Sequence, residues 1–300
     1  MKMNILRYTK RFLFFGLLVA FSSCDSLTTT LETDDSDFFA DKLVVGSILT
    51  ANTNEFRFFV GENRGFLESG NAADFNLSGA SIFIEKESTG EVLDFADGTT
   101  EEDSEFENYI LSGIDSSFLE PGAYTFRVSH PTYPESVTTL EFPNRIDIEN
   151  INFEFEGGND INGNNASLLT FDINDVAGPD FYELQVFIDG RLIDIETLDP
   201  SGSEGLDSRT LLFRDDSFDG SRKTLQVSFN RFFFTEGVSS EIMLRWISVN
   251  EGYFLLSKSV ERQDAASDNP FATAVQINTN VNEALGVIGF RNGADFIINP

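Results

Sequence analysis

The chain has 300 residues, with 50 Asp and Glu against 20 Lys and Arg, and a formal charge of −30 at pH 7. The acids are spread along its whole length, so it lacks the clustered Lys and Arg that phosphate contacts need, which argues against a nucleic-acid partner. Hydrophobic residues make up 41% and there are 32 Phe, too much apolar bulk for a disordered chain.

The first 23 residues read as a secretory signal. Lys2, Arg7, Lys10 and Arg11 come without an acid, an apolar run follows from Phe12 to Phe21, and small residues mark a cleavage site at Ser22-Ser23-Cys24. The run is shorter than the roughly 20 apolar residues that span a bilayer. Phe21-Ser22-Ser23-Cys24 resembles a bacterial lipobox, which implies lipidation of Cys24 and cleavage just before it. Cys24 is the only cysteine in the chain, so lipidation removes a reactive thiol and leaves no disulfide to form. Stable anchoring takes more than one acyl chain, which a diacylated cysteine supplies. The expected location is the outer membrane, held by the lipid on Cys24. The cell surface is the favoured face and the periplasmic face the alternative. Residues 24–41 are acidic and aperiodic, as in a flexible tether.

From 42 onward the chain reads as β-structure. Residues 43–49 and 55–60 are β-rich runs, and 80–86 and 91–95 flank a turn at Ser88-Thr89-Gly90 as in a hairpin. Residues 97–107 are an acidic loop. Residues 109–111, 123–129 and 137–142 complete a set of short strands, the second with the clearest alternation. This pattern predicts an Ig-like or transthyretin-like β-sandwich over 42–144. A second β-rich domain is expected over 145–300. Ile151, Phe153 and Phe155 alternate, 157–165 and 201–205 read as polar loops, and 167–173, 181–188, 225–229 and 241–249 as strands. Asp189-Gly190 marks a hairpin turn between 181–188 and a returning segment, 191–195. The helix candidate is 251–264, where Tyr253, Leu256 and Val260 recur at helical spacing. Residues 274–277 and 285–290 are strand-like again.

Residues 246–290 carry a specific pattern. Trp246-Ile247-Ser248-Val249-Asn250-Glu251-Gly252-Tyr253 leads into the helix. Asn269-Pro270-Phe271, then Asn278, Asn280 and Val281, and finally Leu285-Gly286-Val287-Ile288-Gly289 follow. This arrangement, with Asp215–Gly220 upstream, resembles the DUF4249 family of Bacteroidota lipoproteins. Leu43-Val44-Val45-Gly46 and Gly79-Ala80-Ser81-Ile82 agree more loosely. Phe254 departs from the pattern, standing where relatives usually carry a second tyrosine, so a hydrogen bond of that hydroxyl is not available here. The resemblance implies an envelope lipoprotein associated with a TonB-dependent outer-membrane receptor.

Chemistry-bearing motifs are few. His130, the only histidine, sits in Ser129-His130-Pro131-Thr132-Tyr133-Pro134 and reads as a structural turn residue. There is no Gly-x-Ser-x-Gly elbow, His-Glu-x-x-His or phosphate loop. With so many acids, carboxylate pairs arise by chance and do not single out a hydrolase. The best metal candidate is a Ca²⁺ loop at Asp160, Asn162 and Asn164, with oxygen donors at alternate positions but no downstream bidentate acid. Asp215, Asp216 and Asp219 are a weaker one. Phe232-Phe233-Phe234 and Trp246 read as core. No cofactor is expected. The expected function is non-enzymatic binding as a receptor accessory, with 97–107 and 157–165 as binding loops. The alternatives are a stand-alone glycan- or peptide-binding module, which calls for an exposed aromatic platform at Trp246 or Tyr253, and, after it, a carboxylate-based hydrolase.

Overall fold

The computed structural model describes residues 41–63, 75–95, 107–199, 201–204, 209–230, 240–267 and 277–298. Cys24, the tether up to residue 40, nearly all of the acidic loop expected at 97–107, Phe232 to Phe234 and Asn269-Pro270-Phe271 lie outside them. Among the described residues no helix is long and apolar enough to cross a membrane.

The protein is mainly β. Strands β1 (Leu43–Thr50), β2 (Glu55–Glu62), β3 (Ser81–Lys86), β4 (Glu91–Phe95), β5 (Tyr109–Ser112), β6 (Gly122–His130) and β7 (Tyr133–Phe142) occupy the first half. The second half holds β8 (Ile148–Asn159), β9 (Asn165–Asn174), β10 (Phe181–Ile188), β11 (Arg191–Leu192), β12 (Glu196–Thr197), β13 (Gly202–Glu204), β14 (Thr210–Arg214), β15 (Arg222–Asn230), β16 (Ile242–Val249) and β17 (Ile288–Ile298). Among the described residues one α-helix, α1 (Glu251–Ser267), stands between β16 and β17.

Most sequence expectations hold, because strict alternation puts every second side chain on one buried face. β1 shows this directly: Leu43, Val45, Ser47 and Leu49 are buried while the residues between them are not. β10 follows the expected bounds, and Asp189 and Gly190 both have positive φ (50° and 75°), as a two-residue hairpin turn requires. The polar loop expected at 157–165 is shorter than its composition suggests. β8 runs to Asn159 and β9 starts at Asn165, leaving a tight turn at 160–164. The loop expected at 201–205 contains β13, and β12 and β14 gave no sequence signal. β12 and β13 are two and three residues long, too short for a period to show. β17 extends to Ile298, beyond the expected end at 290.

Among the described residues seventeen strands form three sheets. The longest runs β13-β14-β10-β16-β17-β1-β2-β5, with β11 added to β10. Its strands pair antiparallel except β1 with β17, which are parallel (Ser47 opposite Ile288, Thr50 opposite Arg291). A four-stranded sheet, β4-β3-β6-β7, packs on the β1, β2 and β5 end, and another, β12-β15-β9-β8, packs on the β10, β14 and β16 end. The result is two sandwiches built on one shared sheet. The apolar cores largely respect the expected boundary near residue 144, but the sheet does not. Phe290 of β17 enters the first core, edge-on to Phe142 at 5.0 Å and beside Phe126 at 5.7 Å. Residues 41–300 accordingly form one compact unit.

The second core is centred on Trp246, fully buried, with Tyr182 stacked on it at 4.9 Å and Phe171 edge-on at 5.3 Å. Truncating an aromatic in such a position typically costs about 3–5 kcal/mol. Residues of opposite parity on β10 and β16 face the other way. Phe181, Ile247 and Val249 receive Tyr253 and Phe254 of α1, so both faces of the shared sheet are covered at this end.

Candidate functional site

The turn at 160–164 is organised around its first residue. The Asp160 carboxylate accepts hydrogen bonds from the backbone N–H of Asn162 (2.9 Å) and Asn164 (2.8 Å) and from the Asn164 side-chain amide (3.0 Å). These donors, the Asn164 side chain first, hold the Asp160 carboxyl below the usual carboxylate range. This is an Asx-type turn, with the carboxylate facing N–H groups of its own loop. The turn borders a cavity of about 910 Å³ at the place where β9 begins and β15 ends. Asp160, Asn164, Arg191, Asp194, Glu196 and Ser228 are among its lining residues.

Register explains part of that wall. Glu196 lies directly opposite Ser228 in the β12–β15 pair, so their side chains leave the sheet on the same face. Neighbouring Val227 and Phe229 point the other way into the core. Ser228 is fully buried and its hydroxyl has no hydrogen-bond partner, an uncommon condition for a buried polar atom. Glu196 accepts a long bond from Ile161 N–H (3.4 Å).

A second constellation lies at the opposite end of β9 and β15. Asp175, Asp180 and Asp215 each bring a carboxylate oxygen within 4.8 Å of the other two. Asp175 accepts from the Tyr182 hydroxyl and from Gly220 N–H (2.9 Å), and Asp215 from Asp180 N–H (2.9 Å). Asp219 adds a bond to Gly178 N–H (2.8 Å). Asp180 is pushed up to about 6, first by burial and then by Asp175, Asp215 and Asp219, and burial also raises Asp215. The Tyr182 phenol is raised by burial and by its bond to Asp175. Three carboxylates this close could hold a divalent cation through one oxygen each. Two of them already staple the turns that join β9 to β10 and β14 to β15. The sequence flagged Asp215 and Asp219 here, whereas Asp216 turns out to pair with Arg214 (2.9 Å) at the surface. Asp175 and Asp180 were missed because they bracket a six-residue turn whose partner lies far along the chain.

On the face of β10 turned to α1, Glu183 is fully buried and bonded to Arg291 and to the Tyr253 hydroxyl. Arg291 also lies over the Tyr253 ring, 5.8 Å from its centroid. This charged knot ties β10 to β17 and to the first turn of α1. Asn250 caps that turn, accepting from Tyr253 N–H (3.2 Å) and from Phe290 N–H (2.9 Å). Asn280 bonds both backbone groups of Ile288 (2.9 Å each). Gly286 runs so close to β1 that a Cβ there would sit 2.0 Å from the Val45 carbonyl oxygen, at a φ of +115°. Only glycine fits. Asn250, Asn280 and Gly286 thus clasp β17 to the first turn of α1 and to β1.

The family model described as "Domain of unknown function (DUF4249)" matches residues 28–295. The chain belongs to the DUF4249 family. No curated protein matches it. Among solved structures it is similar to one from Bacteroides uniformis described as "a putative carbohydrate binding protein", at 11% identity and a TM-score of 0.25, covering 86% of this chain and 98% of that one. At that score the likeness bears on neither architecture nor ligand.

Trp246 and Tyr253 are both buried, so neither offers the exposed aromatic platform expected of a glycan- or peptide-binding module. Phe254, the family departure, is buried against Phe181 at 4.9 Å, an apolar contact that needs no hydroxyl. His130 ends β6, with its ring near Tyr133 (5.4 Å), Nε2 3.2 Å from the Ser78 carbonyl oxygen and Nδ1 accepting from Thr132 N–H (3.3 Å).

Proposed function

We propose that this DUF4249 chain is a lipid-anchored protein of the outer membrane whose β-built body acts by binding, without catalysis, as an accessory to a TonB-dependent receptor. The observation that carries this is the N-terminal sequence: a basic leader, an apolar run too short to span, and Ser22-Ser23 before the sole cysteine. Family membership supports the receptor association. The physical benefit is effective concentration, since a tether in the plane of a membrane turns a second encounter into a near-intramolecular one. A rigid double sandwich then presents its turns to a partner or ligand. One observation favours ligand binding by the body itself, the polar cavity beside the Asp160 turn.

Intact-mass and peptide mass spectrometry of the protein from native membranes tests the anchor. The expected result is a chain starting at Cys24 with acyl mass on it, and a Cys24→Ala variant released to the soluble fraction. An unmodified, unprocessed N-terminus rejects the anchor. Capture from native membranes, with recovery of an outer-membrane barrel receptor, tests the partner, and repeated capture without one rejects it.

A further inference from the structure

We infer that the cavity between the Asp160 turn, the β11–β12 segment and the end of β15 is a binding site for a neutral polyhydroxylated ligand, a short oligosaccharide. The inference rests on the proposal that the body binds a ligand, and adds the place and the chemical class. Its volume, about 910 Å³, is at the upper end of the range of small-molecule sites, about 300–1,000 Å³.

The wall carries donors and acceptors that the fold leaves open. Arg191 and Asp194 both line it, and among the described residues neither side chain enters an ion pair or a hydrogen bond. They belong to the segment that turns back along β10 and then pairs with β15 through Glu196 and Thr197, so strand pairing fixes the backbone that presents them. Asn164 donates its amide N–H to Asp160, which turns that amide in one fixed orientation. Below them, Ser228 is fully buried with an unpartnered hydroxyl.

This mixture selects the ligand class. An anion such as phosphate would meet one guanidinium and three carboxylates, Asp160, Asp194 and Glu196. A simple cation would meet Arg191, and these carboxylates do not converge as Asp175, Asp180 and Asp215 do. A hydroxyl donates and accepts at once. Vicinal hydroxyls can therefore take N–H bonds from Arg191 while giving O–H bonds to Asp194 and Glu196, without unbalancing charge. The aromatic residue among those lining the cavity, Phe229, is buried in the second core, so recognition there depends on polar contacts and not on ring stacking.

The full chain in detergent is titrated calorimetrically with neutral trisaccharides of glucose, mannose, galactose and xylose, and with trilysine and triglycine as peptide probes. At least one trisaccharide is expected to bind. Arg191→Ala and Asp194→Asn should each weaken it about tenfold, the effect of one lost hydrogen bond, without lowering the thermal midpoint, since neither side chain has a partner to lose. Asp219→Asn, at the far end of β15, should leave affinity unchanged. Absence of binding by all four trisaccharides overturns the inference, as does binding that is indifferent to Arg191 and Asp194. Binding of a peptide probe alone overturns the ligand class but preserves a binding body. Loss of the membrane anchor or receptor in the earlier tests would leave the calorimetric result standing.

Discussion

Asp180 and Glu183 stand three residues apart at the start of β10, and their carboxylates meet opposite surroundings. Glu183 is fully buried, yet Arg291 and the Tyr253 hydroxyl both reach it. Asp180 is only partly buried, yet its neighbours are Asp175, Asp215 and Asp219, and among the described residues no Lys or Arg pairs with any of these acids. Depth alone does not decide the energy of a buried charge. The sign of what surrounds it does, because a desolvated carboxylate is tolerated when positive charge and hydrogen-bond donors replace water.

The sharpest way to break this comparison is to remove the cation from the paired site. Arg291→Met is expected to destabilise the protein by about 3–5 kcal/mol in urea denaturation at pH 7, the usual effect of stranding one member of a buried pair. A loss below about 1 kcal/mol would show that Glu183 needs no guanidinium and would collapse the contrast. The intact pair still need not outperform an apolar replacement of both members. Its role here is to hold α1 and β17 in register with β10.

Removing charge from the crowded site should act in the opposite direction. Asp180 sits at about 6 in the fold, against an ordinary value of 3.8. Between those values the folded protein binds more protons than the unfolded chain, so stability falls as pH rises through this window. Asp180→Asn should therefore stabilise the protein at pH 7 by on the order of 1 kcal/mol. That gain should vanish as pH falls below about 4. Comparing the urea midpoints of the two proteins at pH 7 and pH 4 measures this. A variant less stable than the parent at pH 7 would mean that the Asp180 charge is compensated by something outside the carboxylate cluster.

Asp172, on β9, gives the smallest and most acid-confined effect. Thr224, Arg222 and Asn150 donate to it and hold it at about 2. A depressed carboxyl contributes stability above its unfolded value, and that contribution is lost as pH falls from about 4 towards about 2. Asp172→Asn should flatten this part of the acid limb, read as the slope of the urea midpoint against pH. An unchanged slope would remove Asp172 as a stabilising pair.

These residues also mark where sequence reasoning succeeds and stops. The Asp160 turn was visible because its donors and acceptor lie within five consecutive positions. The Asp175–Asp180–Asp215 grouping was not, since Asp215, just after β14, reaches Asp180 across 35 residues. Composition gave no help, because 50 acids make any one of them unremarkable. The cavity was half legible. Residues 157–165 were marked as a binding loop, but Arg191, Asp194, Glu196 and Ser228 are brought to it by pairing of the short β11 with β10 and of the short β12 with β15, and strands of two residues carry no readable period.

Local order settled what depends on neighbours along the chain: alternating strands, the Asp189-Gly190 hairpin and the start of α1 at Glu251. Side-chain period and turn chemistry act over a few residues, so they are written in a few residues. Three-dimensional packing alone decided that β17 lies parallel to β1 and sends Phe290 into the opposite sandwich, that Glu183 meets Arg291, and that a polar cavity opens where β9 begins. Those outcomes depend on which distant surfaces bury each other most completely, a competition over the whole molecule that no local pattern records.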